Sequence, residues 1–237
     1  MKRLLISLVS LLACQFVWAQ DVPHSITSFG KAKKLAVQVY KDQSTTFYCG
    51  CDYDRKKQVG AQACGYEPRK NPKRGARIEW EHVVPAHAFG HTRACWREAL
   101  CSNSKGEAYK GRRCCGKIDP VFKAMAADLH NLVPAVGELN GDRSNFTFSM
   151  IGGEAREYGQ CDFEVDFKLK RAEPRPAVRG DIARTYFYMN QTYGLKISRK
   201  QRKLFEIWSR QDPVDEWERT RNLRIENIQG NSNPFVN

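Results

Sequence analysis

Apolar and polar residues alternate through Arg77-Ile78-Glu79-Trp80-Glu81-His82-Val83-Val84-Pro85-Ala86. A period of two predicts a strand with Ile78, Trp80, His82 and Val84 on one face and Glu79, Glu81 and Val83 on the other. Pro85 lacks a backbone donor and ends the ladder. A carboxylate and an imidazole thus stand side by side at a strand terminus. For Glu81 and His82 to serve one site, the backbone has to turn or bulge there. Helical spacing governs 26–40, where Phe29, Ala32, Leu35, Ala36 and Val39 recur among Lys31, Lys33 and Lys34, with Ser28 as cap. Asp119-Pro120 opens a second helix, with Val121, Phe122, Met125, Leu129 and Leu132 as its buried stripe. Pro134 marks its end, so Asn131 falls in its last turn.

The remaining pattern is shorter in range. Thr45–Cys49 reads as a short strand, 137–146 as turn-rich, and Phe163–Lys168 as an alternating strand. Helices are expected over 182–193, after Ser198, and from Asp212-Pro213, before a loosely held polar tail from Gly230. Strands and helices do not alternate as βαβ units, so the fold class is α+β, and 237 residues suit one domain.

Composition adds a destination. Met1-Lys2-Arg3, the apolar run Leu4–Ala13 and Val17-Trp18-Ala19 read as a secretory signal peptide cut after Ala19, leaving a mature domain of residues 20–237. The apolar run is too short to span a bilayer well. A rival lies within it: Leu11-Leu12-Ala13-Cys14 resembles a lipoprotein box, which would make Cys14 a lipidated N-terminus. Loss of Cys14 with the leader leaves eight of nine cysteines, all between Cys49 and Cys161. An even number in an oxidising compartment favours disulfides, and Cys49-Gly50-Cys51 has the wrong spacing for a zinc knuckle. Eight cysteines allow 105 pairings. Adjacent Cys114 and Cys115 need different partners, and the 98–117 excursion reads as a stapled loop.

Charge suggests a partner. The formal +13 becomes +11 once Lys2 and Arg3 leave, which points to a polyanion such as nucleic acid, an anionic membrane surface or an acidic polysaccharide. Arg69, Lys70, Lys73 and Arg74 lead directly into the alternating strand and are candidate contacts to nucleic-acid phosphates. His82, His87 and His91 tempt a zinc reading, but Pro85 interrupts a helix through all three, so His87 and His91 are read as structural or surface residues.

Ile78-Glu79-Trp80-Glu81-His82-Val83-Val84-Pro85-Ala86, Asp128-Leu129-His130-Asn131-Leu132 and Asn140-Gly141-Asp142-Arg143 together resemble the bacterial endonuclease I family. These are periplasmic or secreted nonspecific nucleases with a ββα-metal (His-metal finger) site. The likeness extends through Tyr158-Gly159-Gln160-Cys161, 182–189 and Gln229-Gly230-Asn231, nearly the whole mature chain. It implies Glu81 and Asn131 as protein ligands of one Mg²⁺ ion, His82 as general base, and a phosphate-steadying arginine in Gly111-Arg112-Arg113, with Arg112 the better match and Arg113 open. It implies DNA and RNA backbones as substrate, no stable protein partner, a monomer, and 5′-phosphate products. The chain departs from the family in lacking C-terminal cysteines and in carrying Cys101 and Cys114, which are expected to close a bridge of their own. The alternative from another class is a non-catalytic secreted polyanion-binding protein.

Overall fold

A computed structural model describes residues 23–153 and 155–237. The signal-peptide expectation and the Cys14 anchor lie outside them. The chain begins with α1 (Phe29–Val39), capped by Ser28 as its sequence predicts, then two single turns, α2 (Ala61–Cys64) and α3 (Pro72–Gly75). Strand β1 (Ile78–His82) follows, then α4 (Ala86–Gly90) and α5 (Ala94–Arg97). A hairpin of β2 (Cys101–Ser102) and β3 (Ala108–Tyr109) leads to α6 (Arg112–Ile118) and α7 (Pro120–Ala127). A single 3₁₀ turn, Leu129–Asn131, enters β4 (Leu132–Val136), and α8 (Gly137–Arg143) begins directly after it. The last third holds β5 (Thr147–Phe148), β6 (Phe163–Asp166) and β7 (Arg171–Pro174), then α9 (Arg179–Tyr193), α10 (Arg199–Gln211) and α11 (Glu216–Gln229). Mixed helices and small sheets make this an α+β fold.

The centre is an antiparallel ribbon of β1 and β4, paired from Ile78↔Val136 to His82↔Leu132. It separates two apolar clusters. On one side, Ile78, Trp80, Leu129 and Leu132 pack with the buried positions of α1 and with Ile225 of α11. On the other, Val83, Val133, Ala135 and Val136 join Tyr48, Leu139, Phe163 and the α9–α10 pair. Helix α8 touches both strands.

Four disulfides fasten the periphery: Cys49–Cys161, Cys51–Cys64, Cys95–Cys115 and Cys101–Cys114. The local Cys101–Cys114 bridge forms as expected, and Cys114 and Cys115 take different partners. Two bridges therefore lie in the excursion between β1 and β4, and they staple the segment that carries Gly111–Arg113 to itself.

Several local expectations are corrected. Pro134 does not end a helix but lies within β4, opposite Trp80. Each strand of a two-stranded ribbon has one unpaired edge, so a missing N–H is tolerated there, while the Pro134 carbonyl accepts from the Phe47 amide at 2.8 Å. Asn131 consequently sits in the 3₁₀ turn before a strand, not in a last helical turn. Thr45–Cys49 is a turn with one bridge, Thr45↔Asp52, and 137–146 contains α8. The final helix starts after Asp215, whose side chain accepts from the Glu218 amide, rather than at Asp212-Pro213.

Candidate active site

The ribbon ends where the chain bends at Val83-Val84, and this bend is held by two side chains from opposite directions. Arg143, fully buried at the end of α8, donates through Nη1 to the His82 carbonyl at 2.9 Å and through Nη2 to the Val83 carbonyl at 2.5 Å. Asn131 takes the next residue: its Oδ1 accepts from the Val84 amide at 2.7 Å and its Nδ2 donates to the Val84 carbonyl at 3.0 Å. Both side chains replace backbone pairing that the ladder gives up at Pro85.

Glu81 is 4% exposed and its Oε1 accepts from Arg143 Nη1 at 2.9 Å and from the Tyr48 hydroxyl at 3.1 Å. Among the described residues no side chain donates to Oε2. Burial raises the Glu81 pKa despite the opposing pull of Arg143 and Tyr48. His82 is 5% exposed, between the rings of Phe29 at 4.8 Å and Phe89 at 6.2 Å. Its Nε2 lies 2.8 Å from the Ala126 carbonyl, an acceptor, so Nε2 carries the proton and Nδ1 holds the free lone pair. Burial, reinforced by repulsion from Arg112 and Arg143, outweighs the Ala126 bond and lowers the His82 pKa to about 4. At neutral pH the ring is an uncharged acceptor.

Two adjoining clefts meet over this pair. One, of about 730 Å³, runs along the free edge of β1 and is lined by Ile78–His82 with Phe29, Lys33, Lys34, Lys57, Arg112 and Asn140. The other, of about 420 Å³, carries Glu81 and His82 on toward Pro85, His87, Trp96, Gly141 and Asn145, again with Arg112 and Asn140. Consecutive strand residues line the first cleft because it follows an open edge. The pairing is regular through His82, so no bulge brings Glu81 and His82 together.

The four side chains common to both clefts are Glu81, His82, Arg112 and Asn140. Arg112 is exposed and lies over the Phe29 ring at 5.7 Å. Arg113 stacks instead on Tyr109 at 4.9 Å and lines neither cleft, which separates the two arginines the sequence left open. Asn131 is fully buried and lines neither cleft, because both ends of its amide are committed to Val84.

Asn140, which the sequence did not single out, lines both clefts. Its Nδ2 donates to Glu79 Oε2 at 2.9 Å, which leaves its Oδ1 with no hydrogen bond among the described residues. Glu79 is fixed in turn by Arg74, through Nε at 3.0 Å and Nη2 at 2.5 Å. Asn140 falls within the run Asn140-Gly141-Asp142-Arg143, where a Cβ on Gly141 would stand 2.1 Å from Arg74 Nη1, so a larger residue there would displace the guanidinium that holds Glu79.

The basic segment divides. Arg69 pairs with Asp142 at 3.1 Å and lies over the Phe167 ring, and Arg74 pairs with Glu79, so both guanidinium groups are committed within the fold. Lys70 and Lys73 remain exposed. Glu138, the second residue of α8, accepts from the amides of Arg69, Lys70 and Asn71 and from the Tyr66 hydroxyl. Although burial opposes it, these donors hold the Glu138 pKa below its ordinary value. One buried carboxylate therefore shapes the loop that displays the lysines.

Among the described residues no three His, Cys, Asp or Glu side chains cluster as metal ligands. A pair of oxygen donors, Glu81 Oε2 and Asn140 Oδ1, still suits a hard cation that keeps most of its waters.

The family model described as Endonuclease I matches residues 27–237. The chain is 46% identical to an extracellular deoxyribonuclease of Aeromonas hydrophila, over 97% of this chain and 96% of that protein. A periplasmic deoxyribonuclease of the same organism is 48% identical, over 88% of this chain and 85% of that protein. An endonuclease-1 of Buchnera aphidicola subsp. Acyrthosiphon pisum is 45% identical, over 90% and 81% respectively.

Proposed function

The chain belongs to the endonuclease I family and is a nuclease, and on that premise we propose that it is an exported, Mg²⁺-dependent endonuclease that cuts DNA and RNA with little regard to sequence. Residues 20–237 form the mature domain, and β1, β4 and α8 form its ββα-metal unit. The names of the extracellular and periplasmic relatives support the exported reading, as do the disulfides. The observation that carries the chemistry is the meeting of Glu81, His82, Arg112 and Asn140 on one cleft, with His82 Nε2 anchored so that Nδ1 is free.

Glu81 and Asn140, in place of Asn131, would hold the cation. When bound, it stabilises the charge that develops on the departing 3′-oxygen. His82 Nδ1 accepts a proton from the attacking water, which adds to phosphorus and releases a 5′-phosphate end. The 3′-oxygen leaves as an alcohol by taking a proton from solvent. The Arg112 fork grips nonbridging phosphate oxygens, where a planar guanidinium fits better than an ammonium. Arg143 and Asn131 act by position: they fix the His82–Val84 backbone and so the bearing of the base. Lys33, Lys34, Lys57, Lys70 and Lys73 supply backbone-directed charge, which predicts salt-sensitive binding without base readout.

A plasmid-nicking assay on the purified mature chain tests this reading. Conversion of supercoiled to nicked DNA with Mg²⁺, its abolition by chelator, and retained DNA binding by an inactive His82→Ala variant are expected. Full activity in His82→Ala would remove the base assignment, and salt-dependent binding without any cleavage would favour a silent polyanion binder.

A further inference from the structure

His87 and His91 belong to no step above. Pro85 interrupts helical geometry between His82 and His87, but it is itself the N-cap of α4, so His87 and His91 stand one turn apart on a single face. Both are exposed, and their rings are stacked, with centroids 5.0 Å apart and planes 6° from parallel. Nδ1 of His91 lies 2.8 Å from the His87 carbonyl and therefore carries the proton, which leaves the lone pair of His91 on Nε2. The indole of Trp96 meets His87 edge-on at 5.9 Å and limits its rotation. Partial burial and the neighbouring His91 both lower the His87 pKa, which favours the uncharged ring.

We propose that His87 and His91 form a transition-metal site on the wall of the catalytic cleft, taking Zn²⁺ or a similar imidazole-seeking ion, and that its occupation slows cleavage. Two imidazoles at i and i+4 on one helical face are a standard bidentate donor set for such ions. Imidazole nitrogen favours Zn²⁺, Cu²⁺ and Ni²⁺, whereas Mg²⁺ seeks oxygen, so the two sites select different metals. Coupling follows from placement: His87 lines the same cleft as Glu81, His82 and Arg112. A hydrated dication there occupies the mouth through which a sugar–phosphate strand reaches His82.

The test titrates zinc chloride into the full mature, disulfide-intact chain without Mg²⁺ and follows the imidazoles of its five histidines by proton–nitrogen correlation spectra. The ring nitrogens of His87 and His91 should shift together. Substitution His91→Gln should weaken binding at least about tenfold, since even residues that only orient metal ligands cost that much. Glu81→Gln should leave zinc affinity within twofold. Shifts at His82 with His87 and His91 unmoved, or a His91→Gln variant that titrates like the wild type, would overturn the site. A nicking assay with Mg²⁺, which rests on the proposed function, reads the coupling separately. Zinc should inhibit the wild type, and His91→Gln should keep basal activity but escape inhibition. Equal inhibition of both would reject the coupling, and the spectra judge the site even in an inactive protein.

Discussion

Exchanging the roles of two asparagines gives the sharpest prediction. Asn131→Ala removes both hydrogen bonds to Val84 and strands a buried N–H and C=O. Leaving such a group unsatisfied costs about 1–3 kcal/mol each, so the variant should lose roughly 3–4 kcal/mol of stability. For a chain of this size each kcal/mol corresponds to about 2–4 °C, giving a fall in Tm of about 6–16 °C. Asn140→Ala loses one partly exposed bond to Glu79, whose carboxylate still has Arg74, so its stability should change by less than about 1 kcal/mol. Activity should divide the other way. In nicking assays at 20 °C, well below either transition, Asn140→Ala should need at least about tenfold more Mg²⁺ for half-maximal rate. Asn131→Ala, where folded, should keep the wild-type Mg²⁺ requirement. Thermal melts and Mg²⁺ titrations on the same preparations measure both. An Asn131→Ala protein of normal Tm with a raised Mg²⁺ requirement, beside an indifferent Asn140→Ala, would refute the geometry.

Arg112→Ala should lower kcat by about a hundredfold or more, the scale of losing one preorganised charge donor, while Arg113→Ala stays within about threefold in the same assay. His82→Ala should lose about 10²–10⁴ in rate with DNA retention unchanged by mobility shift. Acid should loosen the fold: burial, against the pull of Asp128, lowers the His130 pKa to about 4, below its unfolded value near 6.5. The unfolded chain then binds the proton first, so this stability is complete above pH 6.5 and is lost as pH falls toward 4, by about 2–3 kcal/mol. Urea midpoints across that interval should decline, and less steeply in His130→Asn. Serine at both Cys101 and Cys114 should cost about 3 kcal/mol, because the bridge spans a sequence separation of 13. Calorimetry checks this, and an unchanged Tm would show the excursion to be held without it.

How much was readable from sequence depended on which force set each element. The β1 alternation, the Ser28 and Ser198 caps and the apolar stripe of α1 are local signals, and they reappear as structure. Helix α8 was invisible because Gly137, Asn140, Gly141 and Asp142 are poor helix formers. Its contacts with the ribbon and with α3 hold it in helical form. Pro134 misled because an edge strand tolerates what a central one does not. The cleft's carboxylate and imidazole were legible as neighbours in Glu81-His82, and Arg112 through resemblance. The burial of Asn131 and the cleft position of Asn140 were not, since Asn131 lies in the 129–131 turn and Asn140 on α8, which is set by its packing on the ribbon. Arg69 and Arg74 looked like free charge only because Asp142 and Glu79 are remote or unremarkable in sequence.

Helix α8 is a single short lever with three attachments. Glu138 grips the loop of Lys70 and Lys73, Asn140 borders the cleft, and Arg143 clamps the backbone of His82. A shift of that lever by one rung would displace the lysine-bearing loop, the cleft amide and the bearing of the imidazole together. The lysine loop and the cleft of this nuclease are thereby geared to each other, and loosening one detunes the other.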